Sequence, residues 1–535
     1  QQYKKQWNAG FQTASHWPDI FSYSLEYKQR DDIGDARTNW ELNRHFQLAL
    51  LAKNYYASGD KKFLDEFKEL FTDWNQRNTF LHGISWTSVM EVAIRTSNWC
   101  YAYAFLSKSE EVPSILLEQL RVGIINMTDY IAKHYSRYSS ANNHLIVEAY
   151  AIGQSGVFFG YEPWVELAIS LLTRELPLQN YADGVNKELS LHYQSFYMEA
   201  MGLMLRLLKR SERTVPETWE PMLDKMCHYV RDCMGEHGEN IEFGDNDEGK
   251  ILDLHGGIES HYEYVLGLLS CQLNTRYVDL GQCSENLRWL YSEEERASTN
   301  KKPMYKPNGS ITYEEGGNTI FRSKNGRVLI GIDHAALGFG SIAAHGHADA
   351  LSFQMYLNGQ PMFVDPGTYI YHGVLSSRNA FRKTENHNTV CINGRDQSEM
   401  LGAFLWGKKA ECKLLKSELG GGEEVIETEH NGYAPDRHTR SYRFKGQSLQ
   451  VIDKINTDTC WSSAWIVGNE NVLLDNNILF IADGSVEMTW DAGEAELQDI
   501  EISESYGTKR IGRKLVLSGQ GKAVVHINIK WEEVK

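Results

Sequence analysis

Three clusters of polar residues in this chain have the types and spacing to do chemistry. The first is Ser139-Ser140-Ala141-Asn142-Asn143-His144, which runs directly into the apolar stretch Leu145, Ile146, Val147, Ala149 and Tyr150. Ser and Asn at such a point are ordinary helix-capping residues. Two amides and an imidazole ahead of a helix can instead hold a carboxylate, because amide donors and the positive helix terminus both favour an anion. The second cluster is Glu188-Leu189-Ser190-Leu191-His192-Tyr193, with Tyr197 one helical turn on. A tyrosine in a helical run is usually core; the polar neighbours argue that one of these two rings opens into a cleft. With an unperturbed pKa of about 10, a tyrosine works as an acid/base group only where a cation or a donor steadies the phenolate. The third cluster is Ala344-His345-Gly346-His347-Ala348-Asp349, then Asp365-Pro366-Gly367, then Glu385-Asn386-His387-Asn388. His347, Asp365 and His387, 18 and 22 residues apart, make a two-imidazole, one-carboxylate set for zinc, closed by a fourth ligand or water. The plainer reading is solvated loop histidines and a turn aspartate.

Two weaker signals accompany these. Gly244-Asp245-Asn246-Asp247-Glu248-Gly249 is acidic but lacks the ligand pattern of a calcium loop, and reads as a turn. Arg37, Glu41 and Arg44 around Trp40, with Glu91 and Arg95, bring charge onto otherwise apolar helices. Ion pairs between helices explain them; an Arg and a Trp lining a sugar cleft is the sharper alternative.

The elements that position these clusters change character once along the chain. Up to about residue 290 the apolar period is helical: Phe63, Leu64, Phe67, Leu70, Phe71 and Trp74 form one stripe, and Leu116, Leu117, Leu120, Ile124 and Ile125 another. A further helix is predicted from about 193 to 210. Helical hairpins without a fixed sequence repeat fit a closed or nearly closed α/α toroid. The polar stretch 293–310 reads as a linker. Beyond it the period becomes two: Leu351, Phe353, Met355 and Leu357 alternate with polar residues, Asn358-Gly359 turns the chain, and Val525, Ile527, Ile529 and Trp531 alternate again. The expected fold is α+β multidomain, with a toroid over 1–292, the linker, and an antiparallel β-sandwich over 311–535.

Composition bounds the rest. At 535 residues the chain exceeds a single ordinary core. With 54 basic and 71 acidic residues the net charge is −17, which disfavours binding along a nucleic-acid backbone yet allows a polyanion in a locally basic cleft. No apolar run is long enough to span a bilayer. Eight scattered cysteines without a C-x-x-C pair exclude a cysteine zinc ribbon and a disulfide scaffold. The 14 Trp, 28 Tyr and 20 Phe suit platforms against sugar rings, although most fill cores. The start at Gln1, without Met or an apolar leader, fits a mature exported form, periplasmic or secreted.

At its three clusters the chain resembles the heparinase II/III superfamily of bacterial polysaccharide lyases, which combine an incomplete α/α toroid with an antiparallel β-sandwich. The resemblance runs through ARTNWELNRHFQLALLAKNY, SWTSVMEVAIR and ANNHLIVEAYAIGQSGVFF, and is most specific in HGHADALSFQMYLNGQPMFVDPGTY and FRKTENHNTV. It implies that Asn143 and His144 neutralise a uronate carboxylate, that Tyr193 and His345 are catalytic, and that His347, Asp365 and His387 hold one structural zinc. The position of His387 serves substrate or catalysis in some members, and Tyr197 lies one turn from Tyr193. Asn142, Arg37, Trp40, Glu91, Arg95, Tyr197, Tyr371 and Arg378 are the candidate substrate contacts.

The reaction implied is β-elimination beside a uronic acid, with Asn143 and His144 stabilising the charge that develops on the carboxylate. Tyr193 and His345 would act as acid and base from opposite sides of an interdomain cleft. The expected substrate is an acidic polysaccharide or oligosaccharide, a glycosaminoglycan such as heparan sulfate first and alginate second. Two readings of other classes compete: a non-catalytic glycan-binding protein, and a glycoside hydrolase with two carboxylates, for which Asp245 and Asp247 are the best of a poor field.

Overall fold

The computed structural model describes residues 6–532 apart from Ile258 and Gln282. Helices fill the first part of the chain and antiparallel sheets the second. Five inner helices pack side by side in chain order: Phe46–Ser58, Val89–Leu106, Asn143–Phe159, Leu191–Arg210 and His261–Ser270. Each is backed by the helix that follows it, Lys61–Arg77, Ser114–His134, Glu162–Gln179, Trp219–Asp232 and Glu285–Leu290 respectively.

The two layers follow from their sequences. Lys61–Arg77 is capped by Asp60, whose side chain accepts from the Lys62 N–H, and buries only Leu64, Phe67, Leu70, Phe71 and Trp74. That single stripe is what an outer helix needs. Asn143–Phe159 and Leu191–Arg210 are instead buried nearly all round, as inner helices must be. Gly153 and Gly156 let the backing helix approach closely: a Cβ at either would come within 2.8 Å of Ala168 or Val165.

The stretch expected to be a linker is partly ordered. Glu293–Thr299 is a helix opened by a capping box between Ser292 and Glu295. The following segment is stitched to the helical domain: Arg276 N–H donates to Pro303 O, and Tyr305 N–H donates to Arg276 O.

Two antiparallel sheets follow. In the first, Ile311–Tyr313, Asn318–Arg322, Val328–Asp333, Phe353–Leu357, Gln360–Phe363, Cys460–Val467, Arg510–Gln520 and Glu494–Ile502 lie in that order, with Val390–Ile392 pairing to Cys460–Val467. The second has eight strands and includes Arg437–Lys445, Ser448–Asn456 and Ala523–Trp531. Their facing side chains form one core, from Phe353 and Trp465 of one sheet to Val451 and Ile527 of the other. Asn358 and Gly359 both have positive φ (51° and 77°), the conformation a tight hairpin turn requires.

The first sheet docks on the helices. Ile320, Leu329 and Tyr313 are buried within the helical core cluster. Tyr229 Oη donates to Asn318 at 2.9 Å, Tyr313 Oη to Asp232 at 2.6 Å, and Arg322 to the carbonyls of Asp232 and Met234. An apolar seam with buried polar ties fixes one domain on the other.

Candidate functional site

The three clusters meet where the helices face the first sheet. Asn142 caps Asn143–Phe159 by accepting from the His144 N–H, so its capping role stands. Asn143 is buried and clasped by Glu188: its backbone N–H and its Nδ2 reach the carboxylate at 2.9–3.0 Å. Burial pushes the Glu188 carboxyl up, against the pull of His345 and Asn143. His144 is half-buried at the wall, and its imidazole is lowered to about 4 by desolvation, so it is neutral near pH 7.

Tyr193 sits in the first turn of Leu191–Arg210, where Ser190 caps the helix and also donates to Asp245 O at 2.6 Å. Its hydroxyl is 2.9 Å from that of Tyr371. Burial, then Asp247, raise Tyr193 well above its ordinary value, which keeps the phenol protonated. The Tyr193 and His345 rings stack with centroids 3.6 Å apart. They therefore stand side by side, not on opposite sides of a gap as expected.

Asp245 is the hub of this arrangement. Arg378 donates to both its oxygens, at 2.6 and 2.5 Å, while His345 Nδ1 is 3.1 Å and His347 Nε2 3.0 Å away. Burial alone would raise its carboxyl; Arg378 and the two imidazoles hold it well below the usual range. Ionised Asp245 takes an N–H from each ring, which leaves His347 Nδ1 as an acceptor and turns His345 Nε2 toward Glu188 Oε2, 3.6 Å away. The reading of 244–249 as a plain turn is thus overturned. Asp247 is also a buried anchor, at 2.7 Å from Arg37 Nε and 3.1 Å from His192 Nε2.

His347, Asp365 and His387 come together as expected, and Asp349 joins them; one ligand atom from each lies within 4.8 Å of all the others. His387 Nδ1 is 2.8 Å from Lys383 O, so it donates there and turns the Nε2 lone pair inward. That nitrogen lies 3.2 Å from His347 Nδ1, itself an acceptor, and 3.4 Å from Asp365 Oδ2. Two imidazole lone pairs face the carboxyls of Asp365 and Asp349, which burial pushes well above the usual carboxylate range. A divalent cation fits such a donor set.

The remaining candidates divide. Tyr371 bonds to Tyr193 and Arg378 to Asp245, so both support the site from behind. Arg37 is held by Asp247 and Glu41, and Trp40 Nε1 donates to Ile84 O and Thr87. Glu91, Arg95 and Tyr197 have no surface to offer a substrate. Glu91 pairs with Arg44 at 2.7 Å, Arg95 is enclosed by the Trp74 and Trp86 rings, and Tyr197 is fully buried. Asp35 completes the support: Tyr506 Oη donates to it, His372 Nδ1 is 3.0 Å away, and the Tyr371 N–H reaches it at 3.3 Å.

Family models cover almost the entire chain: the heparinase II/III N-terminus matches residues 6–254, and the heparinase II/III-like C-terminal domain matches 306–532. The chain belongs to the heparinase II/III family. Among curated relatives of this family member, a heparin-sulfate lyase of Bacteroides stercoris is 23% identical over 78% of this chain and 62% of the relative. A heparin-sulfate lyase of Pedobacter heparinus is 23% identical over 79% and 60% respectively. The chain thus spans about three fifths of the length of these relatives. The same fold is seen in a crystal structure of heparinase III, with TM-score 0.74, 19% identity, and 95% of this chain and 78% of that one covered. A chondroitin AC lyase of Streptomyces coelicolor A3 shares it more distantly, at TM-score 0.60, 13% identity, and coverage of 92% and 75%.

Proposed function

We propose that the protein is a polysaccharide lyase that cleaves beside a uronic acid by β-elimination, on a glycosaminoglycan of the heparan sulfate kind in preference to alginate. The observation that carries this reading is that Tyr193 stacks on His345 while Glu188, which clasps Asn143, lies 3.6 Å from His345 Nε2, so three segments far apart in sequence meet in one place. The names of the curated relatives support the substrate class.

In this reading His345 Nε2 takes the proton from carbon 5 while Asp245 holds Nδ1–H. The electron pair of that bond becomes the carbon 4–carbon 5 double bond, and the bond from carbon 4 to its oxygen breaks. The protonated Tyr193 gives its proton to the departing oxygen. Each such group is worth about 10²–10⁴-fold. The Asn143 Nδ2, bonded to Glu188 in this structure, would turn one N–H to the carboxylate as it gains charge, and the neutral His144 would donate another. With base and acid stacked together, both reach the sugar from one face, which suits a glucuronate over its carbon 5 epimer. Hydrolysis by two carboxylates is disfavoured, because Asp245 and Asp247 are each tied to an arginine.

His347, Asp349, Asp365 and His387 would hold a zinc ion. When bound it supplies positive charge that ties together the loop of His345, the turn at Asp365 and the segment before Val390–Ile392. Among the described residues no helix is long and apolar enough to cross a membrane, and a periplasmic or secreted location is part of the proposal.

The test is ultraviolet absorbance of the unsaturated product on a panel of uronate polysaccharides. Absorbance with heparan sulfate is expected; hydrolysis without it, or no cleavage of any uronate polymer, refutes the reading. Elemental analysis should find about one zinc per chain, and chelation should lower the melting temperature.

A further inference from the structure

Beside the reaction centre the two domains leave an open cleft of about 690 Å³. One wall is formed by residues 135–139 with Arg174, the other by Phe339, Gly340 and Ser341. The first runs in sequence straight into Asn142-Asn143-His144 and the second into His345. The two segments that lead into the groups proposed to act on the sugar thus line the cleft.

Its walls carry two features that the fold does not need. The Tyr138 ring is 94% exposed on a backbone with φ of 58°, a left-handed conformation unfavourable to a residue with a side chain. Folding gains nothing from a ring left in water. Yet the segment is firmly held: the Ser136 N–H and hydroxyl reach the buried Glu148 carboxyl at 2.6 and 2.8 Å, and Gln179 donates to Ala141 O. The second feature is charge. The exposed Arg137 lies over the Tyr135 ring, 4.7 Å from its centroid, and has no carboxylate partner among the described residues. Arg174 pairs with Glu175 at 2.7 Å. The cleft lining thus carries two guanidinium groups and one carboxylate, on a chain of net charge −17.

We propose that this cleft is an extension subsite that seats a negatively charged sugar unit next to the one being cleaved. Tyr138 is the platform for the sugar ring, and Arg137 and Arg174 take a carboxylate or sulfo group through their planar N–H forks. The inference rests on the lyase reading and extends it by naming where the polymer is gripped beyond the reacting residue.

Binding is measured by calorimetric titration in the Tyr193→Phe background, with hexasaccharides of one backbone that are N-sulfated, N-acetylated without sulfate, or carboxyl-reduced and neutral. Arg137→Ala with Arg174→Ala should weaken binding of the N-sulfated ligand at least about tenfold and flatten its salt dependence. Tyr138→Ala should weaken all three ligands several-fold. Loss confined to the sulfated ligand assigns a sulfo group to the arginines; equal loss for both acidic ligands assigns the uronate carboxylate. A double variant with an unchanged circular dichroism spectrum and melting temperature that binds both acidic ligands as its parent does overturns the subsite and leaves the lyase reading standing. If the parent binds none of the acidic hexasaccharides and the unmutated protein eliminates none, the lyase reading fails and the subsite with it.

Discussion

Asp245→Asn keeps the shape of the hub and removes its charge. Arg378, 1% exposed, then loses the only carboxylate bonded to its guanidinium among the described residues. Removing one partner of a buried pair costs about 3–5 kcal/mol, because the other charge is left uncompensated. The new amide also places a donor against the N–H of either His345 or His347, so one ring must change tautomer. If His345 changes, Nε2 carries the proton and cannot take another, and turnover should fall about 10²–10⁴-fold. If His347 changes, Nδ1 no longer faces the cluster as an acceptor, and bound metal should fall. Thermal melts, ultraviolet-detected elimination and elemental analysis read the three consequences separately. Adding Arg378→Met, which removes both charges, should restore much of the stability, since a buried pair exchanged for apolar groups is often near neutral. It should not restore turnover. An Asp245→Asn protein within about 1 kcal/mol and a few-fold of its parent would refute the assignment of Asp245 as the group that orients both histidines.

Tyr193→Phe should lose at least about 10²-fold in kcat and about 1–3 kcal/mol of stability, because the buried Tyr371 hydroxyl loses its partner; Tyr197→Phe should stay within a few-fold of wild type, and equal behaviour of the two would dismiss Tyr193 as the acid. In the β-domain, burial would raise Asp453, but Arg440 at 2.6 Å and His438 at 2.8 Å hold it below its ordinary value. Its folded pKa lies below its unfolded one, so its stabilisation is complete above about pH 4 and is lost as pH falls from there towards the folded value. Asp453→Asn should flatten that acid-side loss in pH-dependent melts, and an unchanged acid limb would refute it.

The helical and strand halves were legible because their periods differ, and the grouping of His347, Asp365 and His387 was proposed from residue type and resemblance, against the plainer reading of solvated loop residues. Asp349 was within reach, two residues after His347, but no local period shows which loop side chains turn inward. The helix Glu293–Thr299 was missed, although Ser292, just before the stretch read as linker, and Glu295 within it stand at capping-box spacing. Asp245 and Glu188 were not legible as anchors. What they do depends on His345 and Arg378, or on Asn143, which the fold brings to them from 100, 133 and 45 residues away. Arg95 shows the same limit in reverse. Its place on an apolar helix suggested a ligand contact, and only packing reveals the two indole rings that close over it.

The contacts of Asp35 bear on how the molecule is made. Its bond to Tyr506 joins residues 471 apart in sequence, a closure among the slowest and entropically most costly for a growing chain. The helical half is synthesised well before Tyr506 emerges, and domains generally begin to fold in order of synthesis. Until that last closure, Tyr371 lacks the Tyr506 hydroxyl that accepts its backbone N–H at 2.8 Å, and only the longer bond to Asp35 helps to place the hydroxyl it sets beside Tyr193. A truncated or misfolded second half would leave a helical array in which Tyr193 lacks His345 and Tyr371, so the proposed activity would report on completion of the entire fold.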